Sequence, residues 1–76
     1  MKINELDNVA LTHDIKDYGL SAGTVGTVVH KYIDAKAFEV EFMDAVGTTV
    51  GVITLKPDDI RPLKKNEMLY APPQHL

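Results

Sequence analysis

Within Gly19-Leu20-Ser21-Ala22-Gly23-Thr24-Val25-Gly26-Thr27-Val28-Val29, three glycines lead into a run of β-branched residues. Glycine tolerates positive φ and the close approach of another chain segment, so this pattern marks a sharp turn feeding a strongly curved strand. Gly23 and Gly26 are the two positions where those properties are needed, and Val28, two residues on, is expected to point inward. With 76 residues and no cysteine, the chain has neither a disulfide nor a thiolate–metal staple. A chain of this size buries only about 60% of the surface its unfolded form exposes. A curved sheet closing on itself is a way to make a core from so little.

The strand signals on either side agree with that geometry. Asn8-Val9-Ala10-Leu11-Thr12 alternates as a short first strand, with Leu6 expected in the same apolar cluster. His13 to Gly19 has no clean period and reads as a long surface loop, pinned by Ile15, Tyr18 or Leu20. A second strand is predicted over residues 24–33, followed by a polar turn at Asp34-Ala35-Lys36-Ala37 that lacks an Asn-Gly or Asp-Gly pair. Phe38, Val40 and Phe42 then alternate with Glu39, Glu41 and Met43, placing two aromatic rings inside and two carboxylates in solvent. Gly47 is the expected positive-φ residue of the next turn. In the fourth strand Val50, Val52 and Thr54 share one face, Thr49, Gly51, Ile53 and Leu55 the other, and Gly51 signals a bulge or a close neighbour. Pro57 sets a tight turn, Asp58 and Asp59 can cap its free N–H groups, and Ile60 and Leu63 return to the core. Arg61-Pro62 belongs on a sheet edge, because proline cannot donate to a ladder.

The order of these elements predicts an all-β fold: a small five-stranded SH3-like barrel over residues 1–63, with a long first loop and a short 3-10 turn before the last strand. Residues 64–76 read as a C-terminal tail, in which Met68, Leu69 and Tyr70 precede a proline pair. That apolar trio packs on its own barrel, docks on another subunit to make a homo-oligomer, or hangs exposed, and the residues leave the three open.

Leu6-Asp7-Asn8-Val9-Ala10-Leu11-Thr12, Gly19-Leu20 through Gly26-Thr27-Val28-Val29-His30, Phe38-Glu39-Val40-Glu41-Phe42 and Ile60-Arg61-Pro62-Leu63 together resemble a family of short bacterial proteins catalogued as a domain of unknown function. The resemblance covers residues 6–63 and implies a compact SH3-like barrel. It carries no catalytic residues that transfer to positions of this chain. The glycine-rich turn also looks like that of ribosome- and transcription-associated barrels, yet Thr24, Thr27 and His30 stand where those barrels carry lysine and arginine.

Eight Lys plus Arg against eleven Asp plus Glu give a net charge of −3, which opposes a phosphate backbone and disfavours nucleic acid. Met1-Lys2-Ile3-Asn4-Glu5 has no long apolar stretch and no run approaches the roughly 20 residues of a membrane span, so a cytoplasmic protein with no membrane role is expected. His13, His30 and His75 show no metal-ligand spacing, and no metal or other cofactor is expected. Beside His13-Asp14 no nucleophile is placed, and Asp14 reads as a loop cap. Glu39 with Glu41, and Asp58 with Asp59, read as solvated or capping carboxylates; a calcium site needs about six oxygens or more. Lys31, Lys36, Arg61, Lys64 and Lys65 would make a basic edge only if they converged.

The reading is therefore a non-enzymatic protein-interaction module whose partner is another protein chain, including the antitoxin or immunity type that neutralises a basic enzyme. Tyr18, Leu20, Tyr32, Phe38 and Tyr70 are the expected contact residues, on the first loop, the hairpin between strands two and three, and the tail. The alternative is a nucleic-acid-binding or ribosome-associated SH3-like barrel.

Overall fold

Five antiparallel strands form one sheet in the computed structural model, which describes residues 2–44, 46–63 and Glu67. They are β1 (Asn8–Leu11), β2 (Val25–Lys31), β3 (Phe38–Met43), β4 (Thr49–Leu55) and β5 (Ile60–Pro62). Short 3-10 turns occupy Lys16–Tyr18, Ile33–Ala35 and Pro57–Asp59. The sheet order is β4-β3-β2-β1-β5, so a meander of four strands is completed when β5 returns to pair with β1, Leu11 against Ile60 and Val9 against Pro62. The all-β architecture with five strands matches the sequence reading, including the 3-10 turn ahead of the last strand. The tail lies outside the described residues apart from Glu67, and so does the fate of Met68, Leu69 and Tyr70.

The alternation in β3 sets the core. Phe38, Val40 and Phe42 point inward and are joined there by Val9, Leu11, Val28, Ile53, Leu55 and Ile60. Among the described residues no polar or charged side chain is buried. Gly26 is the point of closest approach: a methyl group on its Cα would stand 2.7 Å from Val40 Cγ1 and from Phe42 Cε1. Both side chains therefore lie directly on the β2 backbone, which only glycine permits. Gly23 supplies the other property expected of the pair, a φ of +87° at the turn into β2.

β2 and β4 each carry one residue too many for their partner. Val28 faces Val40 and His30 faces Glu39, so Val29 is extra; Phe42 faces Gly51 and Met43 faces Thr49, so Val50 is extra. Bulges of this kind sharpen the twist and let a short sheet curl around its core. Gly51 indeed adjoins one.

Two core assignments differ from the sequence reading: Leu63 is half-buried and outside the core that Ile60 joins, and Leu6 lies on the surface. Leu6 is 77% exposed, and Ile3, at 4%, takes the place beside the core. Leu6 has a φ of +72° within a turn closed by the Asp7 N–H donating to the Asn4 carbonyl, while its own N–H donates to the Val28 carbonyl. That backbone conformation turns the leucine side chain outward. The second strand is also shorter than predicted, ending at Lys31, because Asp34 and Ala35 both take positive φ and turn the chain early.

Candidate functional site

A cleft of about 120 Å³ opens where the hairpin between β2 and β3 meets the N-terminal segment and the Pro57–Asp59 turn. Ile3, Ala35, Phe38 and Pro57 make its apolar lining, and Lys2 and Lys31 contribute their stems and ammonium groups. Lys31 reaches the Asn4 amide oxygen at 3.4 Å, a neutral partner. Neither lysine forms an ion pair among the described residues. The cleft thus carries two lysines in a chain whose net charge is −3.

Beside the cleft the hairpin presents apolar surface. Ile33 is 86% exposed at the turn, and Tyr32 is 42% exposed. Tyr32 is held in place: its hydroxyl donates to Glu39 Oε2 at 2.6 Å, and its ring meets His30 edge-on at a centroid distance of 4.7 Å. Thr54 Oγ1 donates to the same carboxylate oxygen at 2.7 Å. The Tyr32 and Thr54 hydroxyls hold the Glu39 carboxyl below its ordinary range, and in turn the carboxylate raises the phenol of Tyr32. Glu41, the second carboxylate on this face, takes a hydrogen bond from Thr49 Oγ1 at 3.3 Å instead. The two glutamates are engaged by different hydroxyl groups and do not act as a pair.

The Pro57–Asp59 turn connects the cleft to the first loop. Pro57 lines the cleft, while the Asp58 carbonyl accepts from Thr12 Oγ1 at 2.7 Å and the Asp59 carbonyl from the Thr12 N–H at 2.9 Å. Asp59 Oδ2 accepts the Lys56 N–H, the cap expected from the sequence, and Oδ1 lies 2.7 Å from His13 Nε2. The other ring nitrogen, Nδ1, lies 2.9 Å from the Asp14 carbonyl. Both nitrogens of His13 face acceptors, an arrangement that suits the doubly protonated ring. Its pKa is accordingly raised above the ordinary 6.5, chiefly by the Asp59 hydrogen bond, and that of Asp59 falls below 3.8, chiefly by the His13 contact.

The sign of the pH effect follows from these directions. A raised histidine pKa contributes stability that is full below 6.5 and is lost as pH rises through the folded value. A lowered aspartate pKa contributes stability that is present above 3.8 and is lost as pH falls through the folded value. The thermal midpoint of the wild type is therefore expected to decline as pH rises past the raised pKa of His13. In His13→Ala that decline should vanish; equal slopes in the two proteins would show that the pair does not couple to folding.

Of the expected contact residues, Tyr32 is exposed on the outer face of the β2–β3 hairpin beside Glu39, and Tyr18 is half exposed on the first loop. Leu20 is partly buried against the core together with Ile15, which pairs with it in an isolated bridge. Phe38 is 2% exposed, so it forms the floor of the cleft and serves the core, not an exposed anchor. Its place in the β3 alternation already required that. Tyr70 lies outside the described residues. Sequence reasoning did not find Lys2, Ile3 or Pro57 as cleft residues, since nothing in their spacing reveals that two turns meet there. Nor does a basic edge form through Arg61, whose guanidinium is held bidentately by Glu67, at 2.8 and 2.9 Å; Lys64 and Lys65 lie outside the described residues.

Among the described residues no three His, Cys, Asp or Glu side chains come together to hold a metal ion. No helix among them is long and apolar enough to cross a membrane. The geometry defines a small all-β domain with an apolar, cation-rimmed cleft. Residues 5–62 match the model of a family described as a domain of unknown function (DUF4926), and the chain belongs to that family. No curated protein and no solved structure matches it.

Proposed function

We propose that this chain is a non-enzymatic protein-interaction module, an SH3-like barrel of the cytoplasm that receives a partner protein at the end formed by the β2–β3 hairpin and the Pro57–Asp59 turn. The observation that carries the reading is the cleft, with an apolar floor and two lysines that form no ion pair among the described residues, on the hairpin that also exposes Ile33 and Tyr32. Its volume of about 120 Å³ falls below the roughly 300–1,000 Å³ of small-molecule pockets and suits one inserted side chain. Interfaces of this sort draw most of their affinity from a few apolar or aromatic anchors. Lys2 and Lys31 favour a carboxylate beside the anchor that enters, whereas the net charge of −3 favours a partner that is basic elsewhere. That combination fits the antitoxin or immunity form of the reading.

The test compares tagged wild type with Ile33→Asp and Lys31→Glu in pull-downs from the native cell, at moderate salt and with nuclease present. The wild type should retain one stoichiometric protein, and each variant should retain it at least about tenfold less, the effect of losing one anchor. Ile33 is so exposed that its replacement leaves the core untouched. Retention of nucleic acid that nuclease removes would replace this reading with that of a nucleic-acid-binding barrel. Equal retention by all three proteins would place the contact elsewhere.

A further inference from the structure

The two edges of the sheet are protected unequally. β5 is three residues long, carries Arg61 covered by Glu67, and ends in Pro62, which has no N–H to offer. β4 has seven residues, Thr49-Val50-Gly51-Val52-Ile53-Thr54-Leu55, with no charge and no proline. Alternate residues of an antiparallel edge direct their N–H and C=O groups away from the sheet, and soluble proteins ordinarily guard such a row with charges, proline or brevity. Among the described residues β4 uses none of these three and has only the bulge at Val50, near its start. On its outer face Val50 and Val52 are exposed, with Met43 exposed one strand away.

We propose that β4 pairs antiparallel with β4 of a second copy about a two-fold axis through Val52, making one sheet continuous across a dimer. The sequence of the strand is complementary to itself in that register. On the outer face Val52 meets its own counterpart, a pair of β-branched residues of the kind that stabilise cross-strand contacts, and Thr54 lies opposite the bulge at Val50. On the inner face Gly51 meets Ile53, and the space where Gly51 would carry a side chain is empty to 4 Å. A two-fold axis sets every residue against one of the same or a nearby position, so a charged strand would repel itself. This one has no charge to do so. The nearest carboxylates, Glu39 and Glu41, are one strand inward, bound by Tyr32, Thr54 and Thr49.

Sedimentation equilibrium of the full chain over a concentration series tests it. The wild type should approach twice the 8.4 kDa chain mass, and Val52→Glu should weaken the association roughly tenfold by placing two carboxylates face to face, each beside the Glu41 that lies across from position 52. Val52→Thr keeps a neutral β-branched residue and should remain a dimer. Val52 is 50% exposed, and circular dichroism of each variant confirms that the fold is kept. A wild type that stays at the mass of one chain up to about 1 mM would overturn the proposal, whatever the variants do. So would a dimer that Val52→Glu leaves intact, which would place the contact on another surface.

Discussion

Phe42→Ala is expected to cost about 3–5 kcal/mol of stability. Domains of this kind have only about 5–15 kcal/mol in total, and small ones lie at the low end, so the variant should be largely unfolded or close to it at room temperature. Phe42 is fully buried, is the largest of the fully buried side chains among the described residues, and lies directly over Gly26. Its removal leaves both the lost transfer energy and a void between β2 and β3 that rigid strands cannot collapse to fill. Urea denaturation followed by circular dichroism measures the loss. A cost under about 1 kcal/mol would mean that the ring is not the centre of the packing.

Gly26→Ala is expected to destabilise by about 1–3 kcal/mol, toward the upper end. The ordinary expectation has the opposite sign, since replacing a strand glycine reduces the freedom of the unfolded chain and gains about 0.5–1 kcal/mol where the backbone permits it. Gly26 lies outside the positive-φ region, so its backbone is no obstacle. Space decides the sign. The new methyl would stand within 2.8 Å of two Phe42 ring carbons and at 2.7 Å from Val40, and both side chains are wholly enclosed by the core. The two predictions are coupled: in a Phe42→Leu background, which keeps an apolar core, Gly26→Ala should cost measurably less than in the wild type. Equal costs in the two backgrounds would show that ring and glycine do not meet.

The fold was largely legible because its determinants are local. The alternation from Phe38 to Phe42 assigns a face to each residue of β3, and β3 in turn aligns β2 and β4 on either side. The inward turn of Val28, the positive φ of Gly47 and the cap from Asp59 follow from residue types with few alternatives. Leu6 was misread because its hydrophobicity says nothing of the backbone it occupies: a positive φ at leucine is uncommon, and hydrogen bonds to distant residues impose it. The turn at Asp34 and Ala35 escaped for the same reason, since neither residue announces a left-handed conformation as an Asn-Gly pair does. The cleft was the least legible feature. Its lining comes from Lys2, Lys31 and Pro57, residues brought together by sheet curvature and by no spacing along the chain.

The placing of β1 between β2 and β5 bears on how the chain acquires its structure during synthesis. The meander from β2 to β4 can assemble from neighbouring segments, with short loops to close. β1 leaves the ribosome before the other four strands, yet one of its two edges is satisfied only by β5, in pairs running from Leu11 with Ile60 to Val9 with Pro62. Until β5 emerges, Val9 and Leu11 have only half of their sheet and an incomplete core. The closure of β1 with β5 is therefore a long-range step that the earlier hairpins prepare but do not replace.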